Sequence, residues 1–499
     1  MLAALFGAVA CVAVVAMTAP PGPGLDPDSA SYLGAAESVL RTGAVRAPFA
    51  AWSSADSTSP LAHFPPGFSL AIAGIAALGL APVQAARAIE AAAAFVTVGG
   101  GVWLVAGVAG SGAGAVAGIV LLASPSLAFD HWQVLSEPLF LALLVAALAL
   151  MSGAARPWTY GLAAAAAALV RYAGAAALGA AVLWAFGRTG AIRVRARRAA
   201  EAALPGILLE GAWMLREAAE SSPVRSFGPR GDLGPTIRQL GETLGSWLAP
   251  LVGCSWVQVP LALAVTAAAA ALLWAAARGS GTAEAGRPSA ACQPQRFLAA
   301  AGLLAVCYAA VVVWSRLFVD EGIPFDGRLL SPFVLLAELG TAAAFGAGWP
   351  AWRRRGRLAA AAAALVWVSA SATATVEAVQ DALDGGWGYA SDEWRASPLV
   401  HWLRGPGSGA AIFSNNPATV YALLHRPSRT VPADLAADSV TAFGRAFRAQ
   451  RGILVRFPFD LDPGVPPDSL ARRLGLREIA VFSDGAVWGA APEPPARGR

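Results

Sequence analysis

The chain has 499 residues, of which 57% are hydrophobic and 13% charged, with a mean hydropathy of +0.57. Soluble globular domains carry about 25% charged residues, so the composition excludes a soluble protein and points to a polytopic membrane protein. The net charge of +5 gives no case for nucleic-acid binding, because the clustered basic residues flank apolar runs, as the positive-inside rule expects.

The chain contains no lysine, so all 36 basic residues are arginine. Any phosphate it recognises has to be held by arginine, the better bidentate partner. Cys11, Cys254, Cys292 and Cys307 are scattered in or near apolar runs, with no metal-type spacing and no disulfide framework. Residues 1–18 lack a charged start and a clear cleavage site, and so read as a first span, not a removed signal peptide.

Residues 19–86 form a long first external loop rich in Pro, Ser and charge. It opens on Asp26-Pro27-Asp28-Ser29-Ala30-Ser31-Tyr32. Two carboxylates so close to a membrane helix are costly unless they face water or a polar cleft. Tyr32, Ala36 and Leu40 recur at helical spacing and put Asp28 at or near a helix start, where an aspartate can also serve as a plain cap. His63-Phe64-Pro65-Pro66-Gly67 then leads into residues 68–80, an apolar run short for a span and read as an interfacial helix.

Spans are expected at 88–108, 113–127, 138–151, 158–170 and 173–186, with polar residues Asp130, His131 and Glu137 before the third of these and Arg171 before the last. Residues 187–198 carry five arginines and read as cytoplasmic. Further spans are expected at 199–215, 246–276, 297–314, 329–347 and 358–376, with a second basic cytoplasmic loop at Arg353-Arg354-Arg355-Gly356-Arg357. The count is about eleven spans. From residue 377 the pattern changes to short strands at 410–414, 452–457 and 478–482 and helices at 417–424 and 437–449. The expected organisation is a transmembrane domain over 1–376, a small external α/β domain over 377–490 and a disordered tail over 491–499.

This topology gathers Asp26, Asp28, His63, Asp130, His131, Glu137, Arg171, Arg216, Asp320, Glu321, Asp326 and Arg328 on the external side. Carboxylates that can accept a proton and arginines that can hold phosphate there favour chemistry on a phosphorylated substrate. Each has a plainer reading: Arg171 or Arg216 snorkelling to headgroups, Glu137 as a first-turn acid. Asp130, His131 and Glu137 could hold a divalent cation, Mg or Mn, although their spacing matches no strict ligand motif.

The ordered landmarks resemble the GT-C class of membrane glycosyltransferases, within the superfamily of protein O-mannosyltransferases, aminoarabinose transferases and Rgt-type transferases. The matching pieces are Asp28-Ser29-Ala30-Ser31-Tyr32, Phe64-Pro65-Pro66-Gly67-Phe68, Leu135-Ser136-Glu137-Pro138-Leu139-Phe140, Val170-Arg171-Tyr172-Ala173-Gly174, Trp213-Met214-Leu215-Arg216, Arg328-Leu329-Leu330-Ser331-Pro332 and Ile412-Phe413-Ser414-Asn415-Asn416-Pro417. The resemblance implies a multi-pass enzyme of the inner (cell) membrane. Its active site and C-terminal domain would lie on the periplasmic side. It would transfer sugar with inversion from a polyprenyl-phosphate donor to a lipid, glycan or protein. It implies Asp28 as catalytic acid residue, Arg171, Arg216 and Arg328 at the donor phosphate, and Asp26, Tyr32, His63, His131 and Glu137 in support. Phe64 stands where aminoarabinose transferases carry lysine, and Ser29 where an acid is usual. The rival class is a transporter or flippase; against it, there are no repeated halves and the charges gather at one face. A receptor-like protein would leave Asp28 and Arg171 without a reason.

Reporter fusions after Arg198 and Arg357 are expected to read cytoplasmic, and fusions after Arg216 and Glu377 external. A cytoplasmic reading at Glu377 would put the acids and arginines on opposite sides from the expected donor.

Overall fold

The computed structural model describes residues 1–220, 228–229, 232–248, 294–458 and 465–490. Most of the expected span 246–276, with Cys254 and Cys292, and the whole tail 491–499 lie outside these residues. Contacts divide the described chain into two compact units. One comprises Met1–Ala19, Ala62–Phe68 and Ala86–Asp381, and the other Pro20–Leu61, Ser69–Ala85 and the chain from Ala382 onward.

The first unit is helical, and every expected span within the described residues falls on a helix. By length and composition, Pro82–Ala109, Pro294–Phe318, Gly327–Gly348 and Arg354–Gly385 are each able to cross a membrane. Ser111–Ala123 with Pro125–His131, bent by 62°, makes a fifth if the pair is one span. Leu2–Met17, Glu137–Ser152, Pro157–Val170 and Tyr172–Gly187 are apolar but shorter. The protein is a multi-pass membrane protein. Its first helix packs closely through small residues: a Cβ on Gly7 would lie 2.9 Å from the Phe95 carbonyl, and one on Gly99 would lie 2.9 Å from the Ala3 carbonyl. The bend at Ser124 has a local cause, because Pro125 removes a backbone donor and pushes Ser124 to an extended conformation.

The second unit is built on a six-stranded sheet with the order Phe49–Ala50, Ser428–Arg429, Ala411–Ser414, Gly452–Arg456, Gly485–Gly489, Arg477–Phe482. The first four strands run parallel, and the last two are antiparallel to their neighbours. The expected strands and both expected helices are present. The strand Gly485–Gly489 and the edge contributed by the first loop were not expected. Phe49 pairs with Ser428 in parallel, so the first loop completes the C-terminal sheet. Phe413, Phe443, Phe447, Leu454 and Trp488 form the core beneath the sheet. The amphipathic helices Ala437–Ala449 and Pro467–Leu474 cover them with their apolar faces.

Helix Pro27–Thr42 of the first loop packs against helix Pro417–Leu424 of this unit. Glu37 and His425 face each other there, Oε1 to Nδ1 at 3.7 Å. Burial alone would raise the Glu37 carboxyl, but hydrogen bonds with His425 and Tyr421 and the charges of His425 and Arg41 bring it below its usual 4.5. The Glu37 hydrogen bond raises His425 above 6.5, against partial burial. The histidine's share of stability is present below its unfolded value and lost as pH rises through its raised folded value. The glutamate's share is present above 4.5 and lost as pH falls through its lowered value. His425→Ala is therefore expected to destabilise the protein at about pH 6 and to have little effect at about pH 8.5. His425 is largely exposed, so the difference, measured by thermal unfolding at both pH values, should stay below about 1 kcal/mol.

Candidate active site

Each unit carries one cluster of sequence-predicted residues. In the helical unit the centre is Glu137, the first residue of helix Glu137–Ser152, with Pro138 setting the helix start behind it. Its side chain is 2% exposed. Arg171, at the extended break where helix Pro157–Val170 ends, places Nη1 2.6 Å from Glu137 Oε1. Arg328, in the first turn of helix Gly327–Gly348, donates to the same oxygen from Nε and Nη2, both at 2.9 Å. Ser136 Oγ accepts from Arg171 at 3.2 Å. Asp326 caps the helix of Arg328 by accepting from the Leu329 amide at 2.9 Å.

Asp130 is fully buried in the same cluster, within electrostatic reach of Glu137, Arg171 and Arg328. Two acids and two arginines thus form one compact charge group in a water-poor surrounding, where each charge depends on its partners. Glu137 holds both forks in fixed directions. A phosphate is the group that planar, bidentate guanidinium donors match best.

Glu90 was not singled out in the sequence, yet it is fully buried, and its Oε1 accepts from the Leu135 amide at 3.3 Å. It therefore steadies the turn that precedes Glu137. The available signal was a lone acid within an alanine-rich apolar helix.

Arg216 is not among the ion partners of Glu137. It pairs with Glu220 at 2.6 Å, and its guanidinium lies over the Trp213 ring at 4.7 Å. Tyr172 links the break after Arg171 to this helix, donating to Glu217 at 3.1 Å and accepting from Trp213 Nε1 at 3.3 Å. His63 is exposed, its ring edge-on to Phe64 at 4.6 Å.

Asp130, His131 and Glu137 do not assemble as a metal centre. The His131 Nδ1 lies 2.7 Å from the Leu127 carbonyl of its own helix, and Glu137 is taken by two arginines. Among the described residues no group of three or more His, Cys, Asp or Glu gathers as ligands would. The residues present do not fit a divalent cation at this trio.

In the second unit, helix Pro27–Thr42 begins as expected, but the cap is Asp26 and not Asp28. Asp26 is extended and accepts from the Ser29 amide at 2.9 Å, and Ser29 Oγ accepts from the Asp26 amide at 2.9 Å. This reciprocal pair satisfies two otherwise unpaired donors. Asp28 falls in the first turn, half-buried, and the cap does not consume it. Tyr32, one turn on, is buried.

No family model matches the chain, and no curated protein matches it. Solved structures do. ArnT from Cupriavidus metallidurans bound to undecaprenyl phosphate aligns over 98% of this chain and 99% of its own, with a TM-score of 0.58 and 16% identity. The chain has the GT-C fold. GT-C neighbours also include the mycobacterial arabinofuranosyltransferase AftD, at TM-score 0.53 and 17% identity, matched over 98% of this chain and 41% of that one. The Archaeoglobus fulgidus oligosaccharyltransferase, in a complex with Zn and sulfate, matches at TM-score 0.53 and 12% identity over 91% of this chain and 68% of that one. Within this GT-C fold the Glu137 cluster sits at the helix ends where the sequence landmarks Leu135–Phe140, Val170–Gly174 and Arg328–Pro332 meet.

Glu137→Ala should destabilise the helical unit by about 3 kcal/mol or more, because two partly buried guanidinium groups lose their shared counter-charge. Thermal unfolding in detergent measures it. A loss below about 1 kcal/mol, the level of an exposed pair, would show that the cluster is solvated.

Proposed function

We propose that this protein is a glycosyltransferase that moves a sugar from a polyprenyl-phosphate donor to an acceptor hydroxyl on the extracytoplasmic face, with inversion. The observation that carries the reading is the pair of guanidinium forks of Arg171 and Arg328 on Glu137, in a chain whose fold matches, along nearly its whole length, a transferase solved with undecaprenyl phosphate.

In this reading the Asp28 carboxylate takes the proton of the acceptor hydroxyl as that oxygen attacks the anomeric carbon. The new glycosidic bond forms as the bond from the anomeric carbon to the phosphate oxygen breaks, through an oxocarbenium-like transition state of the kind known for glycoside hydrolysis. The electron pair leaves on the lipid phosphate. Arg171 and Arg328 neutralise the charge that grows there, so the leaving group needs no general acid. Glu137 keeps both forks aimed and, by sharing their charge, prevents them from holding the product phosphate too tightly. Arg216, stacked on Trp213, is assigned to the headgroup region on the resemblance alone. The site faces the periplasm of the cell membrane, and the acceptor is a lipid, a glycan or a protein.

The test is transfer by the purified protein from a panel of radiolabelled undecaprenyl-phosphate sugars, with undecaprenyl phosphate binding as the folding control. Asp28→Asn is nearly isosteric and is expected to lower the rate roughly a hundredfold or more, with lipid binding retained. Asp26→Asn should cost little, because asparagine caps a helix as well as aspartate. Arg171→Lys should be impaired along with Arg171→Ala, because lysine lacks the fork. A fully active lysine variant would remove Arg171 from the phosphate, and normal turnover of Asp28→Asn would remove Asp28 as the base.

A further inference from the structure

We infer that residues 387–391 clamp the start of the helix that carries Asp28, and that Gly388 and Tyr389 are positioning residues for the transfer step; this rests on Asp28 being the base. The chain enters helix Pro27–Thr42 through Leu25, and Leu25 and Gly388 form a parallel bridge. The Leu25 amide donates to the Trp387 carbonyl at 3.3 Å, and the Tyr389 amide donates to the Leu25 carbonyl at 2.8 Å. Both backbone polar groups of the residue before the Asp26 cap are thereby held by a segment more than 350 residues away in sequence.

Only glycine permits the approach. Gly388 has φ +58°, and a Cβ there would lie 1.9 Å from the Leu25 carbonyl oxygen. The turn is braced from within, the Ser391 amide donating to the Gly388 carbonyl at 3.0 Å. It is braced from below by Tyr389, whose buried ring meets Trp394 edge-on at 5.8 Å, while Trp394 meets Phe457 at 5.8 Å. The Tyr389 hydroxyl lies 3.3 Å from Asn416 Oδ1. Asn416 in turn caps helix Pro417–Leu424, the helix packed on Pro27–Thr42. Asn415 ties the same corner to the sheet, donating to the Phe457 carbonyl at 3.1 Å and accepting from its amide at 3.0 Å.

Burial pushes the Tyr389 hydroxyl up to about 12, and the charges of Asp26 and Asp28 push the same way. It therefore stays a neutral group within electrostatic reach of both acids. The first amides of a helix have no partner within it, and a reacting group displaced by about 1 Å can cost about a hundredfold in rate. The clamp removes that freedom just where the carboxylate has to be aimed. Asn415 and Asn416 of the Ile412–Pro417 landmark thus become part of the support of the acid-bearing helix.

The test compares Gly388→Ala with Gly475→Ala. Gly475 has nearly the same left-handed conformation, φ +61°, with nothing near its Cβ position, so it carries the same backbone strain away from Leu25. Amide hydrogen exchange is read at Tyr389, Ser29 and Ala30, together with undecaprenyl phosphate binding and kcat and KM for the sugar donor active in the panel. Gly388→Ala should lose protection at those amides and lose roughly tenfold to a hundredfold in kcat, with donor KM and undecaprenyl phosphate affinity within about twofold of wild type. Gly475→Ala should change none of these. Equal losses in both variants, or lost protection with wild-type kcat, overturns the inference. Tyr389→Phe keeps the ring packing and covers the case in which Gly388→Ala does not accumulate: its kcat should fall severalfold at unchanged KM, and wild-type kcat removes Tyr389 from the role. If Asp28→Asn is inactive while the clamp variants turn over normally, the clamp alone fails. If Asp28→Asn turns over normally, the base assignment fails.

Discussion

A buried carboxylate shared by two arginines is the constraint around which the helical unit is arranged. Glu137, Arg171 and Arg328 come from the ends of three different helices, and the buried Glu137 charge depends on the two arginines. Their pairing forces the three helix ends to meet. The local chemistry prepares each end for it: Pro138 starts one helix, Arg171 sits at an extended break that ends another, and Asp326 caps the third. Glu90 and Asp130 add buried acid around the same point. Rotating either fork away would leave the buried Glu137 carboxylate without part of its counter-charge. In the proposed transfer, donors already in place would not need to reorganise as charge develops on the phosphate.

The second unit has a different task, which is to hold helix Pro27–Thr42, whose buried face includes Tyr32, Leu33, Ala35 and Ala36, against distant parts of the chain. It does so by long-range backbone pairing. Phe49–Ala50 joins the C-terminal sheet as an edge strand, Leu25 bridges Gly388, and helix Pro27–Thr42 lies on helix Pro417–Leu424 with Glu37 against His425. The reciprocal Asp26–Ser29 cap then secures the first turn from inside. Pro20–Leu61 of the first loop is therefore part of the fold of the C-terminal α/β unit.

The helices were legible in the sequence because apolar runs of span length have few other uses, and the arginine clusters at 188–198 and 353–357 mark their boundaries. The strands Ala411–Ser414 and Gly452–Arg456 were legible as short apolar runs between turn signals. The start of the Asp28 helix was legible from the Tyr32, Ala36 and Leu40 spacing. The choice of cap was not, because two aspartates flanking Pro27 differ only in which one meets the Ser29 amide. The trio Asp130, His131 and Glu137 looked like ligands only because they are close in sequence. In the fold His131 turns to its own helix backbone and Glu137 turns to arginines.

What the sequence determined by itself is what depends on neighbours a few residues apart: membrane class, helix and strand positions, the acidic helix start and the inventory of arginines. The tertiary structure decided who pairs with whom. Arg328 reaches Glu137 across 191 residues, Gly388 closes on Leu25, and Phe49 finds Ser428. The physical reason is that periodicity and capping are local energies written into adjacent side chains, whereas a charge accepts any opposite charge and a strand edge any other edge. Only the packing of the whole chain selects the partner.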